Sequence, residues 1–278
     1  MFHLALAAAL ILANIIIFSS APSHLLSVSF LDVGQGDSIL IEGPRGAEVL
    51  IDGGADQSVL RELGKRRSFF DRSIDAIVAT HPDQDHIGGL SDVLERYDVS
   101  VVIESGVSGD TAAVRAFDAA VAREGAERVI AAPTTRLLLG RGAYADILYP
   151  DRDISSVSDT NSASVVLRVV YGTRAFMLTG DAPKPIEQHL TTIYGSGLAS
   201  DVLKAGHHGS KTSSLESFVR AVDPEYVIYS RGCDNRYGHP APEVVALFKT
   251  LTISSFDTCE KGTITFRSDG KMLRVSKR

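Results

Sequence analysis

The segment THPDQDHIGG, residues 80–89, places two histidines and two aspartates within six positions. A short apolar run precedes it, which is typical of a buried strand and would bring the first histidine to the C-terminal end of that strand. Two glycines then allow close backbone approach before a helix predicted to begin near Leu90. Imidazoles and carboxylates this close together repel or stay unsatisfied unless a cation binds them. The segment therefore predicts a metal site with the ligands His81, Asp83, Asp85 and His86.

Two later segments also place ligand-type side chains directly after predicted strands. Asp181 follows the apolar run of FMLTGD, and His207 and His208 follow that of VLKAGHHGS. A lone Gly-Asp turn or histidine pair is common in loops, but its repetition at three strand ends favours a shared site. Because strand ends assemble sites from distant sequence, we expect these residues to join the first segment.

The remaining pattern indicates the elements that position these side chains. The N-terminal part, LLSVSFLDV, DSILIEG and AEVLIDGG, has the apolar runs and glycine turns of a β-meander. Strands and helices alternate after the metal segment, and an Asp-Gly turn at 269–270 predicts a C-terminal hairpin. Together they predict a layered αββα or α/β sandwich. The predicted helices cover residues 57–66, 111–123, 185–194, 214–221 and 243–250.

Composition sets broad limits on function. The 278 residues are 44% hydrophobic and 22% charged, as in an ordinary globular protein. The formal net charge of −6 argues against a broad surface that coats nucleic acid, although a local basic groove stays compatible with it.

Residues 4–18, LALAAALILANIIIF, form an apolar run interrupted by one asparagine. Its length suits the core of a signal peptide and is short for a full membrane span. A cleaved signal and a membrane anchor both fit, and a buried core helix is the third interpretation. We therefore divide the chain into a signal or anchor segment, 1–22, and a folded domain, 23–278, which both favoured interpretations place outside the cytoplasm.

The two cysteines, Cys233 and Cys259, each follow a predicted strand. If the two strands are neighbours, the thiols lie at one sheet edge and a disulfide is expected in an exported domain. Two free thiols are the alternative.

Seven segments together resemble a known family. They are FLDVGQGDSILIE, LIDGG, THPDQDHIGG, NSASVVL, LTGD, LKAGHHGSKTSS and NRYGHP, in this order within residues 27–276. The set closely resembles the extracytoplasmic metallo-β-lactamase-like domain of ComEC-type DNA-internalization competence proteins. HPDQDH is similar to the HxHxDH motif of the metallo-β-lactamase superfamily, with Asp83 where a histidine usually stands. The resemblance implies an α+β fold, the four-layer αββα sandwich.

The resemblance also implies a site for one or two divalent ions. The implied ligands are His81 and Asp83 for one ion, Asp85, His86 and His207 for the second, and Asp181 as the bridge. A third superfamily histidine has no counterpart, since His189 lies on a predicted helix beyond the bridge, and the nearest candidates are Asp159 and Asn161. A carboxylate-rich ligand set favours Mn²⁺, or Zn²⁺ with weaker specificity.

Such ions would lower the pKa of a bound water and neutralise a phosphate. The loop DVGQGD is either a hairpin turn in which Asp37 caps backbone amides or, by resemblance, part of the rim of the site. Asp52 is expected to orient a ligand. Arg231 is a further candidate for a basic rim. The predicted catalytic residues are Asp85, Asp181, Lys204, His208 and His239. The predicted substrate-binding residues are Asp37, Asn161, Lys211 and Arg236.

The sequence thus predicts an extracytoplasmic metal-dependent hydrolase, a phosphodiesterase or nuclease that acts on DNA during competence-type uptake. Its expected partners are DNA, the inner membrane through the N-terminal segment, and a separate DNA-translocation channel protein. Its expected location is the periplasm or the cell surface. Two alternatives are a small-molecule metallo-hydrolase of the lactone or β-lactam type and a non-catalytic DNA-binding module.

Overall fold

The chain folds as a sandwich of two β-sheets with helices on both outer faces. The computed structural model describes residues 24–67 and 71–277. The strands of this described part are β1 (Leu26–Phe30), β2 (Ile39–Glu42), β3 (Glu48–Ile51), β4 (Ser73–Ala79), β5 (Asp98–Glu104), β6 (Glu127–Ile130), β7 (Arg136–Gly140), β8 (Ala143–Tyr149), β9 (Val166–Tyr171), β10 (Arg174–Leu178), β11 (Val202–Lys204), β12 (Tyr226–Tyr229), β13 (Ser254–Asp257), β14 (Ile264–Ser268) and β15 (Leu273–Lys277).

Each sheet has an antiparallel half and a parallel half. The first sheet has the order β15-β14-β1-β2-β3-β4-β5-β6, and its parallel pairs run from β3 to β6. The second has the order β13-β12-β11-β10-β9-β8-β7, and its parallel pairs run from β10 to β13. The parallel halves present several strand ends along one edge, which is where ligand-type residues were predicted to converge.

The helices of the described residues cover the outer faces. They are α1 (Ser58–Gly64), α2 (Gln84–Ile87), α3 (Leu90–Leu94), α4 (Ala112–Glu124), α5 (Lys184–Tyr194), α6 (Glu216–Val222), α7 (Pro242–Thr250) and α8 (Thr258–Lys261). Short 3₁₀ turns cover Thr160–Ala163, Gly195–Leu198 and Gly206–Gly209.

Three apolar clusters hold the layers together. The inner one joins the two sheets, and the rings of Phe176 on β10 and Phe266 on β14 lie 6.0 Å apart in it. One outer cluster packs Phe117 of α4 against the first sheet, and the other packs Phe218 of α6 and Phe248 of α7 against the second. Each fully buried side chain of this size stabilises the fold by about 1.5–3 kcal/mol. These three interfaces define four layers, so the predicted αββα sandwich is confirmed.

The predicted helices and the C-terminal hairpin are present in the structure, whereas the strands β6 to β9 were not predicted from the sequence. Strands β6 and β7 are the outer strands of their sheets and are largely exposed, so their apolar pattern is weak. Strands β8 and β9 carry Asp146 and Arg168 opposite each other in register, and these charges interrupt the apolar runs.

Strands β12 and β13, which precede the two cysteines, are parallel neighbours, as a disulfide between them requires. Cys233 and Cys259 are disulfide-bonded, with their Cα atoms 5.0 Å apart, and this confirms the expected disulfide and not the two free thiols. Residues 1–22, interpreted as a signal or anchor, lie outside the described residues. Within 24–67 and 71–277, no helix combines the length and the apolar character needed to cross a membrane.

Candidate metal centre

Both sheets contribute to the candidate site. His81 follows β4 of the first sheet, and Asp85 and His86 lie in the short helix α2 just after it. Asp181 follows β10, and the histidine pair follows β11, both in the second sheet. The backbone N–H of Val165 donates to the carbonyl of Thr80 at 2.9 Å and thereby joins the two sheets beside the site.

The glycines around this loop are needed for close packing. A Cβ on Gly88 would lie 2.2 Å from the carbonyl oxygen of Ala55, and one on Gly89 would lie 2.3 Å from that of Gly53. Gly36, with φ +123°, would place a Cβ 2.0 Å from the carbonyl oxygen of Asp85. These contacts hold the metal segment against its neighbouring loops, as the paired glycines predicted.

One carboxylate oxygen is the centre of the cluster. Asp181 Oδ2 lies 3.3 Å from His86 Nε2, 3.4 Å from His208 Nε2 and 3.6 Å from His207 Nε2. His208 Nε2 also lies 3.3 Å from Asp85 Oδ2. Among the described residues, four groups have ligand atoms within 4.8 Å of one another: His81/His86/Asp181, Asp85/His86/His208, Asp37/Asp181/His208 and Asp37/Asp52/His86.

Hydrogen bonds behind the cluster fix two of the imidazoles. His86 Nδ1 lies 2.7 Å from Asp52 Oδ2, and a carboxylate oxygen only accepts, so Nδ1 carries the proton. Thr80 Oγ1 donates to the same carboxylate at 2.7 Å and accepts from His81 Nδ1 at 3.0 Å. Asp52 also accepts the Thr80 N–H at 2.8 Å. Asp52 therefore orients both rings with Nε2 turned towards the cluster, as expected for a residue behind a metal ligand.

His208 is oriented in the same way by the backbone. Its Nδ1 donates to the carbonyl oxygen of Ser230 at 2.8 Å. The Nε2 atoms of His81, His86 and His208 are all buried without a hydrogen-bond partner. Each such buried polar atom costs about 1–3 kcal/mol, whereas imidazole Nε2 is a preferred ligand of divalent cations. The donor set therefore fits a divalent metal ion.

The charged neighbours set the protonation of the cluster. Burial alone would lower the pKa of His208, but the carboxylates of Asp181 and Asp37 outweigh it and raise this pKa to about 9. Burial, followed by repulsion from His86, holds the pKa of His81 well below its usual range. Burial would raise the pKa of Asp181, yet His208, His86 and Lys204 hold it well below its usual range.

The structure places Asp37 and Lys204 inside the protein, which does not fit the cap or the rim predicted for Asp37. Asp37 is 1% exposed, and its Oδ2 lies 2.5 Å from Lys204 Nζ, so it is neither an amide cap nor part of a rim. Lys204 is fully buried, donates to the carbonyl of Gly180 at 2.8 Å and lies 3.3 Å from Asp181 Oδ1. The lysine is thus an internal counter-ion below the cluster, because both carboxylates would otherwise be buried without charge compensation.

His208, and not His207, lies in the position expected for a metal ligand. His208 lies inside, whereas the His207 side chain is 27% exposed and its Nδ1 contacts Thr212 Oγ1 at 3.2 Å. Among the described residues, His207 belongs to none of the four ligand groups. Both residues have positive φ, 50° and 56°, and this left-handed turn directs the second ring inward.

Other predicted residues lie around the cluster. Asp83 Oδ2 lies 3.7 Å from His81 Nε2, close enough for both to contact one ion. Asn161 lies in a 3₁₀ turn, and its Oδ1 is buried without a hydrogen-bond partner. Asp159 accepts from Ser162 Oγ at 2.6 Å, and His189 pairs with Asp151 at 2.7 Å. The histidines in the four ligand groups are His81, His86 and His208. None of them comes from the described residues between His86 and Asp181, where a third superfamily histidine would lie.

The predicted rim is only partly basic. Lys211 and Arg236 are exposed, and the half-buried ring of His239 lies 5.6 Å from that of His207. Arg231 instead pairs with Asp257 at 2.7 Å. Burial and repulsion from His207 lower the pKa of His239 to about 4.

Thr80 and Ser230 orient the ligands, and neither was predicted from the sequence. Thr80 adjoins the first histidine, so a hydroxyl beside a strand-end ligand was an available signal. Ser230 acts through its carbonyl, which its residue type does not reveal.

Comparison with known proteins agrees with this geometry. The family model described as the metallo-beta-lactamase superfamily matches residues 31–232. ComE operon protein 3 of Bacillus subtilis (strain 168) is 31% identical over 258 residues, which are 86% of this chain and 33% of that protein. Competence protein ComA of Neisseria gonorrhoeae is 32% identical over 268 residues, 93% of this chain and 35% of that protein. The chain thus spans about a third of the length of these curated relatives.

A solved structure shows a similar fold. Igni18, a metallo hydrolase from the archaeon Ignicoccus hospitalis, superposes with a TM-score of 0.52 at 15% sequence identity. The superposition covers 87% of this chain and 98% of Igni18. At this identity the likeness concerns the fold alone.

Proposed function

Because the chain belongs to the metallo-β-lactamase superfamily and is related to the corresponding domain of ComEC-type competence proteins, we propose that it is a metal-dependent phosphodiesterase that cuts DNA. The observation that carries this proposal is the convergence of three buried, unpartnered imidazole Nε2 atoms on one edge of the sandwich beside Asp181. The names of the relatives, which include a competence protein, support DNA as the substrate.

The proposed metal ligands are those whose ligand atoms converge, with Asp83 within reach of His81 and His207 within 3.6 Å of Asp181. They are His81, Asp85, His86, Asp181 and His208, whereas Asp37 and Asp52, which also belong to the four groups, are held by Lys204 and by Thr80. The mixture of imidazole and carboxylate is compatible with Mn²⁺ or Zn²⁺. When bound, such an ion supplies positive charge that acidifies water and offsets the charge of a phosphate.

The side chains of the protein have distinct tasks in this proposal. Asp52 and the Ser230 carbonyl hold the Nδ1–H groups of His86 and His208, so that Nε2 is the ring atom that faces the cluster and can bind a metal ion once its proton is displaced. Asp85, whose side chain is 28% exposed, lies at the open side, where its carboxylate can position an attacking water by accepting a hydrogen bond from it. Lys204 is held by two carboxylates and a carbonyl, so it orients Asp181 and does not serve as a proton donor.

We further propose that the domain acts outside the cytoplasm. The disulfide between Cys233 and Cys259 supports this location, because disulfides persist in oxidising compartments. The inner membrane, contacted through residues 1–22, and a separate channel protein complete the proposed set of partners.

Cleavage of DNA tests the proposal directly. The purified full chain would be incubated with end-labelled single- and double-stranded DNA in Mn²⁺, Mg²⁺, Zn²⁺ or EDTA. We expect cutting that depends on the metal and is lost in Asp85→Ala, while Asp75→Ala, which changes an aspartate at the other end of β4, keeps it. Absence of cutting by folded wild-type protein with every metal would refute the nuclease.

A small-molecule hydrolase is the second candidate because a cavity of about 210 Å³ opens beside His81. Its walls include the apolar Val107 and Phe117 and the charged Glu104 and Arg128, so it could take a small molecule with both apolar and polar groups. Hydrolysis of a chromogenic β-lactam or a lactone, without cutting of DNA, would favour this candidate.

A further inference from the structure

We propose that Tyr237 is a stacking platform for an unpaired base, so that the substrate is single-stranded nucleic acid at the point of contact. This inference rests on the proposed function and adds to it the class of DNA and the residue that recognises it. Tyr237 is 55% exposed, although it belongs to a loop beside the metal centre.

A column of rings connects this tyrosine to the cluster. The rings of Tyr237 and His239 are stacked, with centroids 5.7 Å apart and planes inclined by 15°. His239 meets His207 edge to face at 5.6 Å, and His207 Nε2 lies 3.6 Å from Asp181 Oδ2. A base placed on the outer end of this column would lie three contacts away from Asp181, so that a phosphate further along the same strand could reach the mouth of the metal centre.

The loop that carries Tyr237 is fixed on several sides. Cys233 is disulfide-bonded to Cys259 of the neighbouring segment. The Asn235 side chain donates to the carbonyl oxygens of Gly232 at 3.0 Å and of His239 at 2.9 Å, and accepts the His239 N–H at 2.9 Å. An exposed aromatic ring on a pre-ordered loop can bind a base with little additional ordering cost.

A cation accompanies the ring. The guanidinium of Arg236 lies over the Tyr237 ring, 5.1 Å from the ring centroid, and donates to the phenol oxygen at 3.1 Å, so a base that stacks on this face would displace it. Arg236 is exposed, so it can also contact a phosphate. Proteins that bind single strands combine these two features, an aromatic face for the base and a cation for the backbone. Bases in a duplex are already stacked on both faces, so the ring selects unpaired bases.

The test is binding of a fluorescein-labelled oligothymidylate to the full chain in EDTA, measured by anisotropy, so that cutting does not interfere. We expect Tyr237→Ala to weaken binding about 5- to 150-fold, because stacking on an aromatic ring contributes about this factor per base. Tyr237→Phe keeps the ring face and should bind like wild type. An abasic oligonucleotide of equal length should bind wild type and Tyr237→Ala equally.

Tyr144→Ala is the matched control for a lost ring. Tyr144 lies on β8, three strands away from β11, and also has an arginine, Arg136, 4.0 Å from its ring centroid. We expect this variant to bind the oligonucleotide like wild type.

A direct optical readout is also available, since the chain contains no tryptophan. Tyr237→Trp would introduce a single indole whose fluorescence the oligothymidylate should quench and the abasic oligonucleotide should not. Wild-type affinity of Tyr237→Ala in a protein that cuts DNA would overturn the stacking proposal alone. A wild-type protein that neither binds nor cuts DNA would overturn the proposed function together with it.

Discussion

The ammonium nitrogen of Lys204 lies 2.5 Å from Asp37 Oδ2, and both side chains are buried below the metal centre. Lys204 also lies 3.3 Å from Asp181 Oδ1, which leaves Asp181 Oδ2 to face the imidazoles. Burial would lower the pKa of Lys204, but Asp37 and Asp181 outweigh it and raise this pKa. A protein cation thus compensates two carboxylates from within, independently of any metal ion.

Lys204→Met removes this internal charge at similar side-chain length. We expect the variant to lose about 3–5 kcal/mol in free energy of unfolding, because the buried carboxylate of Asp37 loses the ammonium group that contacts it at 2.5 Å. Urea unfolding of the metal-free protein measures the loss. The double variant Asp37→Asn/Lys204→Met should recover much of it, and a double variant as unstable as Lys204→Met would contradict the pairing.

Asp52→Asn tests the orientation of His86 and His81. The asparagine amide group cannot accept from His86 Nδ1–H, Thr80 Oγ1–H and the Thr80 N–H together, so at least one of these three donors loses its acceptor and the hydrogen bonds that orient the rings are weakened. We expect metal affinity to fall about 10- to 100-fold, as for other residues behind metal ligands. Equilibrium dialysis with Mn²⁺ or Zn²⁺ measures it. Asp75→Asn, where the exposed carboxylate accepts the Glu48 N–H at 2.7 Å, should keep wild-type affinity.

Much of the site was predictable from sequence because its residues follow strands. His81 and Asp181 each follow a buried apolar run, and parallel strand ends meet at one edge. The choice between His207 and His208 was not predictable, since it depends on two positive φ angles. The pairing of Asp37 with Lys204 joins distant segments through the packing of two sheets, and no local pattern encodes it.

Separate alanine variants of the two adjacent histidines distinguish their roles. His208→Ala removes a buried Nε2 that lies 3.3 Å from Asp85 and 3.4 Å from Asp181, so we expect most bound metal to be lost. His207→Ala removes a partly exposed ring outside the four ligand groups of the described residues and should retain the metal. Mass spectrometry of metal content after dialysis compares them. Retention by His208→Ala together with loss by His207→Ala would restore the assignment made from sequence.

A buried carboxyl behind the histidine loop predicts a dependence of stability on pH. Glu187 on α5 accepts the backbone N–H groups of Ser214 at 2.8 Å and Leu215 at 2.6 Å, just before α6. Burial raises the pKa of Glu187 from 4.5 to about 7, although these two N–H groups oppose the rise. The folded state therefore favours the protonated acid more than the unfolded state does.

The sign of the pH effect follows from this raised pKa. The contribution to stability is fully present below pH 4.5 and is lost as pH rises through about 7. The total corresponds to about 3 kcal/mol at about 1.4 kcal/mol per pH unit. Glu187→Gln leaves one N–H without an acceptor, a penalty that does not vary with pH. Urea unfolding from pH 4.5 to 8 should therefore show the wild-type free energy falling relative to that of Glu187→Gln, and a constant difference would mean that Glu187 is ionised throughout this range.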